Sequence, residues 1–258
     1  MIFDTHAHYY YREFRDDRDE LLRRLHEKDG VSAIVCVSES LETSQKSLAL
    51  AQAYDFVYAA VGVHPKYAPQ WRDSHYDLLR RMLSQPKVVA VGEMGLDYHR
   101  GGEDRALQEQ AFVRQLELAQ EAGLPVIIHD REAHGDTYRI LRAYRPQGVL
   151  HCFSGSVELM REAVRLGLYI GMGGSVTFSG AVHPLEVAKA VPLHHLVLET
   201  DAPFLIPTPC RTAPNRRERS DSSMIRAVAE CIAAARGMDT DELLSITEAN
   251  ARRLYRLA

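Results

Sequence analysis

Four cysteines in 258 residues, none in a CxxC pair, cannot build a disulfide scaffold or a cysteine-rich zinc knot. Cys36, Cys152, Cys210 and Cys231 are scattered, which fits a reducing compartment. No apolar run approaches the ~18 residues that a membrane-spanning helix needs. The stretch from Met1 to His6 shows no basic segment followed by an apolar one, so no secretory leader is expected. A soluble, cytoplasmic chain without membrane association is therefore expected. No Pro/Gly/Ser-rich linker and no low-complexity tract divides the sequence. Positive charge is not in excess either: 31 Lys and Arg stand against 35 Asp and Glu, a net charge of −4. That argues against a generally basic protein that coats nucleic acid, while leaving room for a local basic patch.

What is present is ordinary globular composition, 46% hydrophobic and 26% charged. A chain of this length buries a large core without staples. Eight short apolar runs occur, at 2–5, 31–37, 56–63, 88–92, 125–128, 148–150, 168–171 and 196–200. Segments of helical period separate them, at 16–28, 41–54, 74–83, 104–122, 133–144, 157–166 and 184–190, and two more follow at 222–235 and 240–257. Continuous rather than alternating apolar runs indicate strands buried on both faces, hence a parallel sheet. Strands alternating with helices indicate βα units. The expected fold is α/β, a (β/α)8 TIM barrel forming a single domain over residues 1–258. Ser156 is placed to cap one helix, Asp239 or Thr240 another, and Gly123 with Pro125 to end the long one.

The C-terminal ends of these runs carry the chemistry. Run one ends in His6-Ala7-His8, run three in His64, run four in Glu93, run five in His129, run six in His151 and run eight in Asp201. In a parallel barrel these ends converge on one face. Residues i and i+2 of a strand point the same way, so His6 and His8 both face inward. Imidazole nitrogen and carboxylate oxygen suit a divalent transition metal. Six candidate ligands exceed one four- or five-coordinate ion and suit two ions ~3.5–4 Å apart that share a carboxylate. Glu93 is the natural bridge. His6, His8 and Asp201 would complete one site, and His129 and His151 the other. The donors admit zinc, manganese, magnesium or nickel. The catalytic roles fall to Glu93 and to Asp201, which would take the proton of a metal-activated water.

The stretches Asp4-Thr5-His6-Ala7-His8, Gly62-Val63-His64-Pro65 and Gly92-Glu93-Met94-Gly95-Leu96-Asp97-Tyr98 are part of a larger pattern. It continues in Ile128-His129-Asp130-Arg131, His151-Cys152-Phe153-Ser154-Gly155 and Glu199-Thr200-Asp201-Ala202-Pro203-Phe204. Taken in order, they resemble the TatD family of metal-dependent hydrolases, within the amidohydrolase superfamily. The likeness runs from residue 2 to about 255. It implies a barrel with two divalent metals and phosphodiester hydrolysis on DNA. It implies that His6, His8, Glu93, His129, His151 and Asp201 bind metal and that His64 and Arg131 contact substrate phosphate. Related families bridge their metals with a carboxylated lysine; here Glu93 stands in that place.

One segment departs from the family. The loop at 207–220 does not close in Asn-Glu-Pro, although Arg211 and Asn215 correspond. Arg211, Arg216, Arg217 and Arg219 face a single acid, Glu218. They are read as a clamp for phosphates away from the cut bond. A barrel mouth is a pit, so the expected activity is 3'-5' exonuclease action on single-stranded DNA ends. The alternatives are a D-aminoacyl-tRNA deacylase and a small-molecule amidohydrolase or lactonase. No obligate protein partner is expected. Asp97 either orients a ligand histidine or caps a loop, with the structural role preferred. The run Gly171-Met172-Gly173-Gly174 reads as room for substrate near the metals, or as turn chemistry.

Overall fold

Each apolar run becomes a β-strand in the computed structural model, which describes residues 1–99, 104–211 and 219–258. The strands are β1 Ile2–Ala7, β2 Val31–Val37, β3 Val57–Val61, β4 Val88–Asp97, β5 Val126–Arg131, β6 Gly148–Leu150, β7 Tyr169–Met172 and β8 Leu196–Leu198. Helices α1 Arg18–Glu27, α2 Leu41–Ala53, α3 Asp73–Leu83, α4 Arg105–Ala122, α5 His134–Tyr144, α6 Val157–Arg165 and α7 Val182–Ala190 alternate with them. Helices α8 Ile225–Arg236 and α9 Thr240–Tyr255 follow β8. All neighbouring strands pair in parallel, in sequence order from β1 to β8. Ala7 bridges Ala202 in parallel and closes the ring. This is the expected (β/α)8 barrel. No helix among the described residues is long and apolar enough to cross a membrane.

Helix ends follow the sequence signals. Ser156 Oγ accepts from the Leu159 amide, Asp239 accepts from the Asp241 and Glu242 amides, and Gly123 ends α4 at φ 65°. Two apolar clusters separate the faces of the sheet. The larger lies between strands and helices. The smaller joins Phe3, Val35, Ala60, Ala90, Ile127, Val149 and Val197, one residue from each of seven strands, with Leu254 and Tyr255 of α9. Only the inside of the barrel brings so many strands together. Helix α9 therefore plugs its N-terminal end, where the Tyr255 hydroxyl donates to the Thr5 carbonyl at 3.2 Å.

The inward layer explains which residues reach the mouth. Ala60, Ile127, Val149 and Val197 point inward, so by period two His64, His129, His151 and Glu199 continue the same face. His6 and Glu93 have the wrong parity relative to inward Phe3 and Ala90. The ladder shifts register ahead of both residues' neighbours, between Asp4 and Ala7 and between Val91 and Met94. Such irregularities re-aim a side chain beside a site. The expectation that Glu93 ends the fourth strand is corrected: β4 runs on to Asp97, because it resumes pairing with β5 as far as Asp97 opposite Arg131.

That close pairing depends on Gly95. A Cβ there, at φ 140°, would lie 2.0 Å from the His129 carbonyl oxygen. Gly95→Ala should therefore force β4 from β5 and cost about 2 kcal/mol, lowering Tm by roughly 4–8 °C. Gly135, which has nothing within 4 Å of an added Cβ, should accept Ala without loss. Calorimetry of the two variants checks both.

Candidate metal centre

The six predicted ligands converge at the C-terminal mouth. Glu93 is 3% exposed and sits in the middle. Its Oε2 lies 3.4 Å from His6 Nε2, and its Oε1 lies 2.8 Å from both His129 Nδ1 and His151 Nε2. On the first side, His6 Nε2 is 3.2 Å from His8 Nε2, and Asp201 Oδ1 lies 3.1 Å from His8 Nε2 and 3.7 Å from His6 Nε2. On the second side, His129 Nδ1 is 3.3 Å from His151 Nε2. Two donor clusters thus share one carboxylate.

The far nitrogens decide what the near ones present. The Nδ1–H of His8 donates to the Val37 carbonyl at 2.8 Å, so Nε2 is the nitrogen turned to the centre and the one a metal would take. His129 Nε2 is held by Asp97 Oδ2 at 3.1 Å, leaving Nδ1 bare toward Glu93. His151 Nδ1 lies 3.6 Å from Glu199 Oε1, which in turn accepts from the Cys152 amide at 2.6 Å. Buried His6 Nδ1 has no hydrogen-bond partner. His64 is the opposite case. Its Nδ1 accepts from the Lys66 amide at 3.0 Å, so its proton sits on Nε2, 3.6 Å from Glu93 Oε1. Burial pushes the His64 imidazole down to about 3 and keeps it neutral. It offers a hydrogen-bond donor, which suits the expected contact with a phosphate oxygen.

The electrostatics ask for a cation. Burial opposes ionisation of Glu93 and Asp201, yet the surrounding imidazoles overrule it and hold both below the usual carboxylate range. Burial likewise opposes charge on His8, but Asp201 overrules it and raises the ring to about 9. A proton on His8 takes the place of a cation there, and imidazole nitrogens at 3.2 Å beside ionised carboxylates form a donor set that a divalent ion satisfies once that proton is displaced. The residues present therefore fit metal.

Other expectations meet the structure as follows. Arg131 is exposed at the end of β5, and makes no ion pair among the described residues. The Arg211 guanidinium packs over the Phe178 ring at 4.8 Å. Arg219 is tied to Asp17 and the Glu13 carbonyl and lies over Phe14. Arg216 and Arg217 fall outside the described residues. Asp97 does both things weighed for it: it holds His129 and also accepts from the His99 amide at 3.0 Å. Gly171 is no open space, because a Cβ there would lie 2.5 Å from Glu199 Oε2 and 3.1 Å from the His151 Cα. Glu199 itself carried no assigned role in the sequence reading. Its signal was the inward parity it shares with Val197.

Four histidines and two carboxylates at the mouth of a (β/α)8 barrel fit the class of metal-dependent hydrolases. The sequence profile of the TatD related DNase family matches residues 3–256, and the chain belongs to that family. It is 39% identical over 260 residues to the uncharacterized metal-dependent hydrolase YabD of Bacillus subtilis, covering 100% of both chains. It is 36% identical over 261 residues to the 3'-5' ssDNA/RNA exonuclease TatD of Erwinia tasmaniensis, covering 99% of this chain and 100% of that one. Among solved structures, the TatD homolog YJJV of Escherichia coli superposes with a TM-score of 0.90 at 32% identity. That match covers 100% of this chain and 98% of the other.

Partners behind ligand imidazoles set metal affinity. Asp97→Ala should weaken retention of metal about 10- to 100-fold. Competition with a graded chelator, read by metal analysis, checks this; unchanged retention would leave Asp97 only its loop contact.

Proposed function

We propose that the centre holds two divalent ions and hydrolyses phosphodiesters at the 3' end of single-stranded DNA or RNA. The observation that carries the reading is Glu93, whose two oxygens face separate sets of imidazoles at 2.8–3.4 Å. His6, His8 and Asp201 would hold one ion, His129 and His151 the other, with Glu93 between them. Divalent ions in such a site lower the pKa of water toward ~7 and offset charge on phosphoryl oxygens.

The side chains supply the rest. Asp201 is ionised, and its side chain is 19% exposed, against 4% for Glu93 and for His8. It is thus the carboxylate that an incoming water meets, and it accepts that water's proton. His64 donates its Nε2–H to a phosphoryl oxygen, and Arg131 attracts the strand by charge. A pit ringed by loops admits a chain end more readily than the middle of a duplex. The names of the relatives, as ssDNA/RNA exonucleases, support the same substrate.

Protein prepared without chelator should carry between one and two equivalents of divalent metal by elemental analysis. Exhaustive chelation should abolish turnover of a single-stranded oligonucleotide. Asp201→Asn should lower kcat by more than ~100-fold, the range for loss of a general base, with an unchanged circular dichroism spectrum. Full activity of metal-free protein would overturn the reading, and normal turnover by Asp201→Asn would assign the proton to another group. Hydrolysis of aminoacyl-tRNA or small esters in place of oligonucleotides would redirect the substrate.

A further inference from the structure

We propose that Phe204, braced by Tyr11, is a stacking platform for the unpaired nucleobase next to the reacting phosphate; this rests on the nucleic-acid reading above. Phe204 is 45% exposed, the one aromatic among the exposed large hydrophobic residues described. A lone apolar side chain on a surface needs no partner. This one stands at the reacting centre. Its amide donates to the Asp201 carbonyl at 2.9 Å, which fixes it one turn from the proposed base, and its ring centroid lies 6.4 Å from that of His8.

The surroundings are built to hold the ring still. Tyr11 meets Phe204 at 5.4 Å and 83°, supporting it from one side while much of the ring remains in solvent. The Tyr11 hydroxyl donates to Glu39 Oε2 at 2.6 Å, and Tyr10 stacks on Tyr11 at 5.2 Å and 27°. Tyr10 also places its hydroxyl 3.1 Å from His8 Nδ1. The aromatic rim is thus anchored to the metal centre itself. A rigid ring presents contact area at small cost in side-chain entropy.

The ligand chemistry follows from the spacing and the neighbours. A phosphate over the centre leaves its own nucleoside one sugar away, the span between the His8 and Phe204 rings. Every base has a π-face, so stacking reads no sequence. A base inside a duplex is already covered on both faces by its neighbours. The platform therefore selects unpaired ends, and it does so where the loop arginines described here are committed elsewhere.

The test compares single-stranded oligodeoxynucleotides whose terminal nucleotide is natural or abasic. Wild-type enzyme should favour the natural end by roughly 5- to 150-fold in kcat/KM. Phe204→Ala should bring that ratio toward one, Phe204→Leu should behave like Ala, and Phe204→Tyr should keep it. Binding is read separately with Phe204→Trp in a Trp71→Phe background, which carries a single indole. A phosphorothioate single strand should quench its fluorescence, and a blunt duplex of the same sequence should not. An unchanged ratio in Phe204→Ala, or an indole indifferent to the single strand, overturns the platform. A wild-type enzyme that cuts no oligonucleotide overturns the nucleic-acid reading first, and the platform with it.

Discussion

A single buried carboxylate, Glu93, organises the mouth of this barrel. Leaving an ionised carboxyl out of water without compensation is costly. Here four imidazoles approach it within 3.6 Å, from β1, β5, the segment after β3 and the segment after β6. Much else follows from that requirement. The ladder of β4 breaks register to turn Glu93 inward, and Gly95 restores the approach to β5 one step later. Behind the imidazoles, Val37, Asp97 and Glu199 face the remaining nitrogens and so decide which ring atom points to the centre.

The strands and the six candidate ligands were legible because both depend on short-range pattern. Short apolar runs between helical periods admit few folds, and a titratable residue at the end of a buried strand has no packing reason to be there. The irregularities in β1 and β4 were not legible. Period two, counted from Phe3 or Ala90, turns His6 and Glu93 away from the centre; only the strand ladder reveals the slip. Glu199 was within reach of the same counting, since it continues the face of Val197. Gly171 illustrates the reverse error. Its neighbourhood read as space or as turn chemistry, yet the place of the missing side chain is filled by the Glu199 carboxylate.

Charge counting along a loop does not say how its arginines are engaged. It treats every arginine as available, whereas a guanidinium is readily engaged by neighbouring acids and rings. Arg211 lies on Phe178, and Arg219 is bound to Asp17, whose carboxyl it holds low. Phe204 stands in the quoted stretch beside Asp201, yet it received no role of its own, because sequence does not tell an exposed ring from a packed one.

The closure of the ring gives the centre a mechanical meaning. β8 spans only Leu196–Leu198, and its continuation meets β1 at the mouth, through Ala7 with Ala202, the Asp201 amide on the His6 carbonyl, and the His8 amide on Ala202. The seam of the barrel therefore runs between His6 and His8 on one edge and Asp201 on the other. His8 and Asp201 are 193 positions apart in the chain, so an ion held by both edges would act as a rivet through the joint that closes the ring. Binding only the closed ring, it would add to the stability of that ring by mass action. In this chain, the place where substrate would be cut is also the place where the barrel is locked.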